Sequence, residues 1–217
     1  MEQILIRKFS KEKTQRSFAT VSKFYNVWAK ITESRAIGLA VGKISSTIRG
    51  NILDIGVGTG DMFYKIVRLN KEGYNVGLDI SLQMLFKAKK KLNDKIKSKT
   101  ILILGNAFNL PFEDNSFNYI FSSYVFDLLP EEEFENVTKE VNRVLKKNGK
   151  VVIITMSFGY KWYNKFWFLI AKYFPDLLTN CRPVNLKPYL FNTFKDVEVI
   201  NISQNTFPSE IITAVKK

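Results

Sequence analysis

The sequence predicts a single α/β domain with a seven-stranded, mostly parallel sheet and helices on both faces. Three observations carry that prediction. The apolar run Ile52-Leu53-Asp54-Ile55 breaks into Gly56-Val-Gly58-Thr-Gly60, and an amphipathic run follows with Met62, Phe63, Ile66 and Val67. Strand, glycine turn and helix in that order form a βα unit whose loop can take a nucleotide. Apolar runs then alternate with helical patterns as far as residue 156, which is how a parallel sheet is built. Finally, Val197–Ser203 and Ile211–Val215 read as a closing antiparallel pair, with Pro208 in their connection.

Residues 10–48 read as helical. Phe18, Val21, Phe24, Tyr25 and Trp28 recur at helical spacing, and Ile37, Ala40, Val41 and Ile44 make the stripe of a second helix over about 33–48. Strand one is the run before the glycines. Glycine suits that loop because it tolerates positive φ and lets a ligand approach the backbone. A dinucleotide fingerprint needs its third glycine three residues after the second; here the third comes two after the second, and Asp54 stands two before the first. A carboxylate there would repel a pyrophosphate but could hold an ammonium. The ligand suggested is an amino acid joined to a nucleoside.

Strand two is Gly73–Ile80, ending in Asp79, 25 residues after Asp54 and near the distance at which nucleotide folds place a ribose-binding acid. Its two oxygens match two vicinal hydroxyls. Ser81 reads as the N-cap of a helix over Leu82–Leu92, and Ile80 and Met84 are placed to touch a purine face. Strand three is Thr100–Leu104, followed by Gly105-Asn106-Ala107. A turn rich in Pro, Asp, Asn and Ser leads into strand four, Tyr119–Ser123. A helix is expected over Glu131–Lys147, C-capped at Asn148-Gly149, before strand five at Val151–Thr155.

Composition narrows the chemistry. The 217 residues suffice for one domain with a substantial core, without repeat or linker. No apolar run approaches a membrane span, and the N-terminus carries no apolar stretch of signal-peptide length. Cys181 is the only cysteine and there is no histidine, which argues against a disulfide, a zinc site or any imidazole base. A reducing cytoplasm is the expected location. The net charge is +13, and the whole excess sits in residues 1–50 (+7) and 87–99 (+6). Such patches suit an anionic surface, either phospholipid or nucleic acid, or are a solvated helix face. Residues 161–174 add a broad aromatic face, with Tyr163, Phe166, Trp167, Ile170, Tyr173 and Phe174 together and Lys161, Lys165 and Lys172 at its edge. That helix could roof a greasy cavity, lie at a membrane surface, or be plain core.

Asp54-x-Gly56-x-Gly58-x-Gly60, the Gly105-Asn106-Ala107 turn, Leu110-Pro-Phe-Glu-Asp-Asn-Ser-Phe-Asn118 and Arg143-Val-Leu-Lys-Lys-Asn-Gly-Lys-Val occur in this order over residues 50–156. Together they resemble the class I methyltransferases dependent on S-adenosylmethionine, in the branch that includes ubiquinone and menaquinone biosynthesis C-methyltransferases. Asn106 and Asn118 stand where that family usually has aspartate. The resemblance implies a Rossmann-like fold with N-terminal helices (1–48) capping the substrate cavity, a cofactor-binding core (50–156) and a substrate side (157–217). It implies S-adenosylmethionine as cofactor, and the composition gives no reason to expect a metal. Asp54, Gly56, Gly58, Gly60, Asp79, Ile80, Met84, Asn106, Ala107 and Ser122 would bind that cofactor. Asp127 and Tyr124, after strand four, would lie where substrates bind.

The acceptor expected is a small lipophilic molecule, such as a quinone precursor or lipid head group, met in the cytoplasm or at an anionic inner-membrane surface. RNA methylation, favoured by charge alone, and a cofactor-binding regulator without turnover are the competing readings. The acceptor atom, a general base and the oligomeric state are not legible in the sequence.

Overall fold

The computed structural model describes residues 30–92, 99–178 and 180–217. The aromatic stripe from Phe18 to Trp28 and part of the second basic patch lie outside the described residues. Seven strands form one sheet in the order β3-β2-β1-β4-β5-β7-β6. They are β1 (Ile52–Ile55), β2 (Tyr74–Asp79), β3 (Lys99–Leu104), β4 (Phe117–Ser123), β5 (Leu145–Met156), β6 (Phe194–Gln204) and β7 (Phe207–Lys216). The first five are parallel; β7 runs antiparallel between β5 and β6. All four residues of β1 are buried, as expected for a central strand covered on both faces.

Among the described residues six α-helices cover the sheet: α1 (Ser34–Ile44), α2 (Asp61–Leu69), α3 (Leu82–Leu92), α4 (Phe134–Val144), α5 (Lys165–Tyr173) and α6 (Lys187–Thr193). The predicted stripe Ile37, Ala40, Val41 and Ile44 is the buried face of α1, and it packs on Ile52, Phe121, Val152 and Ile154 of the sheet. The described part of the expected cap is therefore a sheet-packing helix and not a roof over a cavity. Met62 and Ile66 of α2 join this cluster, while Phe63 and Val67 meet Leu85 and Ala88 of α3. On the opposite face Phe134, Val137 and Val141 of α4 and Leu190 of α6 pack against Leu53, Ile55, Ile120 and Ile153.

Two turns differ from the reading of the sequence. Asn148-Gly149 does not cap a helix, because α4 already ends at Val144 and the chain is extended from Leu145. Asn148 takes a left-handed conformation (φ 60°) within β5, where the pairing with β4 jumps from Phe117↔Leu145 to Tyr119↔Lys150. The asparagine-glycine pair thus makes a bulge. The β6–β7 connection is Asn205-Thr206, with both φ values positive, and Pro208 sits inside β7 opposite Ser203. Pro208 is tolerated because it lies at the start of its strand, where a missing donor costs least.

Strand order reverses between β1 and β4: the chain builds outward from β1 to β3, then returns to start again beside β1. In an open α/β sheet a ligand cleft forms at the carboxyl ends of the strands flanking that reversal.

Candidate cofactor and active site

The cleft at this point is walled by four short segments. Ile55, Gly56 and Gly58 come from the end of β1 and its loop; Leu78, Asp79, Ile80 and Met84 from the end of β2 and the start of α3. Gly105, Asn106 and Ala107 follow β3, and Ser123, Tyr124, Val125, Leu128 and Leu129 follow β4. Most of this lining is apolar, so its polar groups stand out.

Backbone bonds fix the glycine loop. Gly56 and Val57 donate their N–H groups to the Leu78 carbonyl at 2.7 and 3.0 Å, tying the loop to the end of β2. Gly56 has φ 71°, and a Cβ there would lie 2.2 Å from Cγ2 of Val125. The close approach and the left-handed backbone both require glycine. Gly58 (φ 53°) is open by contrast, with nothing nearer to a Cβ than the Gly56 carbonyl oxygen at 3.9 Å. Its N–H donates to Oδ2 of Asp79 at 2.8 Å. Oδ1 of Asp79 accepts the Ser81 N–H, also at 2.8 Å, and Ser81 caps α3 as predicted, its Oγ accepting from Met84 N at 3.4 Å.

Two carboxylates set the electrostatics. Burial pushes the Asp79 carboxyl up, and the N–H donors of Ser81, Gly58 and Ile80 hold it partly back. Asp54 is fully enclosed in β1, behind the lining. Burial, and then the neighbouring Asp79 charge, drive its carboxyl well above the ordinary range. Its Oδ1 is buried without a hydrogen-bond partner among the described residues. A buried carboxylate beside a second acid is a place for a cation. A carboxylate has about four acceptor sites on its two oxygens, so beyond these N–H donors Asp79 keeps capacity for a ligand hydroxyl. Ile80, Met84, Leu128 and Leu129 give the cleft apolar wall suited to a flat ring. The Asn106 carboxamide oxygen is partly engaged, accepting the Phe108 N–H at 3.1 Å.

Comparison with known proteins bears on the family and the fold. Residues 52–149 match the family model described as methyltransferase domain. The core of the chain is a methyltransferase domain. The demethylmenaquinone methyltransferase of Lactococcus lactis is 33% identical over 155 residues, covering 69% of this chain and 61% of the relative. That of Oceanobacillus iheyensis is 36% identical over 121 residues, covering 54% and 50%. The chain thus spans about half to three-fifths of the length of these relatives. Among solved structures, magnesium protoporphyrin IX methyltransferase from Synechocystis, determined with bound SAH, superposes with a TM-score of 0.75. The match covers 96% of this chain and all of the other, at 16% identity, and so speaks for the fold.

In the methyltransferase domain most of the residues read as cofactor-binding converge. Gly56, Gly58, Asp79, Ile80, Met84, Asn106 and Ala107 line one cleft. Gly60 stands behind it as the N-cap of α2. Three readings need correction. Ser122 is buried within the sheet, its hydroxyl without a partner among the described residues, and the wall is made one residue later by Ser123. Asp127 does not face the cleft. It is fully buried, its Oδ2 accepts the Met156 N–H at 2.8 Å, and it braces the turn after β4 against β5. Tyr124 lines the cleft, but its hydroxyl is spent on Ser209 Oγ at 2.8 Å in the core. Reading the sequence also missed Val125, Leu128 and Leu129. Their signal was available, since the loop after β4 must cover the glycine turn beside it.

Proposed function

We propose that this protein binds S-adenosylmethionine in the cleft and transfers its methyl group to a small lipophilic acceptor. The observation that carries the reading is the Asp79 carboxylate, held by Gly58 and Ser81 at the cleft wall with capacity left for a ribose hydroxyl. The apolar lining residues Ile80, Met84, Leu128 and Leu129 suit adenine, while Asp54 stands behind the lining and would act on the cofactor's ammonium only across it. Asn106 and Ala107 line the same cleft. When bound, the cofactor supplies a methyl carbon already made electrophilic by its sulfonium. The chain's own residues then need to orient and to exclude water, which an apolar cleft with few fixed polar groups does. The transfer leaves S-adenosylhomocysteine and releases one proton from the acceptor.

The acceptor class rests on the two relatives, whose names specify demethylmenaquinone, and on the aromatic segment that leaves β5. In this reading residues 50–156 hold the cofactor and 157–217 serve the acceptor. The single, undisulfided Cys181 suits cytoplasmic chemistry. Incubation with methyl-labelled cofactor and separate quinone, lipid and RNA extracts tests the proposal. Label is expected in the quinone or lipid fraction. Label confined to RNA, or cofactor binding without transfer to any fraction, overturns it.

A further inference from the structure

The aromatic segment 160–177 is sorted by the fold in a way its sequence did not reveal. Only Ala171 of α5 is fully buried. Trp167 and Ile170 pack half-buried on the core, and Trp167 Nε1 donates to Thr206 Oγ1 at 3.0 Å. The other side is bare. Trp162, Phe166, Leu169 and Tyr173 follow one another at spacings of four, three and four residues, so they form one stripe, and Trp162 is 83% exposed. Seven of the seventeen exposed large apolar side chains among the described residues lie between Tyr160 and Leu177. Such a concentration marks an interaction surface.

Lys161, Lys165 and Lys172 each directly precede a member of this stripe and form a second row beside it. Lys161 lies over the rings of Tyr160 and Tyr163, at 5.7 Å from each, and Lys172 lies 5.2 Å over Tyr173. No acid occurs from Ser157 to Pro175. We propose that α5 and the turn before it dock on an anionic phospholipid surface. Trp and Tyr are at home where head groups meet acyl chains, and lysine stems reach along apolar surface to place their charge at phosphates. One face offers both, which is the pattern of a helix lying in a membrane interface. A second copy of the chain fits less well, because a two-fold contact would set one lysine row against another. Since α5 follows β5, the face leaves the sheet at the carboxyl edge where the cleft also opens. The inference does not depend on the chemistry in the cleft.

Co-sedimentation with vesicles of phosphatidylcholine alone, and of phosphatidylcholine mixed with phosphatidylglycerol, tests it at low and high salt. Binding is expected to the mixed vesicles at low salt, weakening as salt rises, with a blue-shift in tryptophan emission. Lys161→Gln/Lys165→Gln/Lys172→Gln should lose at least about tenfold in partitioning, and Trp162→Ala/Phe166→Ala should lose the emission shift. Both variants alter exposed positions and should bind S-adenosylhomocysteine as the parent does. Absence of binding at low salt, or unchanged partitioning of the lysine variant, overturns the proposal. So does concentration-dependent dimerisation abolished by the aromatic substitutions, which assigns the face to a second copy. Capture by RNA where vesicles fail assigns it to nucleic acid.

Discussion

The Asp79 carboxylate accepts the Gly58 N–H at 2.8 Å, so the acid that ends β2 also fixes the centre of the glycine loop after β1. Its second oxygen takes the Ser81 N–H and thereby sets the start of α3. One side chain thus positions two of the four segments that wall the cleft before any ligand arrives. Asp79→Ala should therefore weaken S-adenosylhomocysteine binding by about 1.5–3 kcal/mol, the range for hydrogen bonds to a charged group. Asp79→Asn should fall between, because a single carboxamide oxygen cannot accept from both Gly58 and Ser81 in their present geometry. Titration calorimetry measures both; parental affinity in the alanine variant would remove Asp79 from the site.

Gly56 and Val125 are coupled in the same way. A methyl group on Gly56 would lie 2.2 Å from Val125 Cγ2, on a backbone with φ 71°. Gly56→Ala should destabilise the protein by about 1–3 kcal/mol through overpacking and backbone strain. In a Val125→Ala background the clash is gone and only the strain remains, so the same substitution should cost less. Urea unfolding of the four proteins in the cycle decides. Equal costs in both backgrounds would mean that the backbone alone demands glycine.

Much of this fold is legible in the sequence because its signals are local. Seven strands, the Ser81 cap and the glycine loop follow from short apolar runs and the residues that interrupt them. What stayed hidden depends on three-dimensional neighbours. Asn148-Gly149 carries the same turn signal whether it caps a helix or bulges a strand; only the pairing of β5 with β4 chooses. Asp127 and Tyr124 follow strand four as expected, yet spacing along the chain does not tell that the Met156 N–H and Ser209 claim their polar atoms. In 161–174 ten of the fourteen positions are apolar or aromatic, so periodicity marks a helix without marking its inner side. Burial of Ala171, the smallest residue there, decides it.

The buried acids give the stability a pH dependence of definite sign. Burial raises the Asp127 carboxyl well above its ordinary value, with the Met156 N–H and the Arg182 charge pulling only part of the way back. Asp54 is raised by burial and by Asp79. A carboxyl whose folded pKa exceeds its unfolded value lends stability that is complete below the unfolded value and is lost as pH rises through the folded one. The contribution of both groups should thus decline from about pH 4 upward. Asp127→Asn keeps an acceptor for the Met156 N–H and cannot ionise. Its urea midpoint should vary less steeply with pH than that of the parent, and parallel profiles would show that Asp127 is not a source of the dependence.

Tyr124 and Ser209 allow the last distinction, between a hydroxyl that serves chemistry and one that serves the core. Their 2.8 Å bond is buried, and Tyr124 also stands 6.2 Å from the Phe207 ring. Burial first, and then the Glu33 charge, raise the phenol well above its usual pKa, while the bond to Ser209 lowers it, so the hydroxyl stays protonated at neutral pH. A group in that state is a poor general base. Tyr124→Phe and Ser209→Ala should each cost about 0.5–1.5 kcal/mol of stability, and the double variant should cost little more than either, since both delete one interaction. Turnover of a lipophilic acceptor should then fall to the same small extent in the two single variants, with the affinity for S-adenosylhomocysteine unchanged. A kcat lowered by about a hundredfold in Tyr124→Phe, the scale of a lost general acid–base group, with Ser209→Ala near the parent, would return the hydroxyl to the reaction.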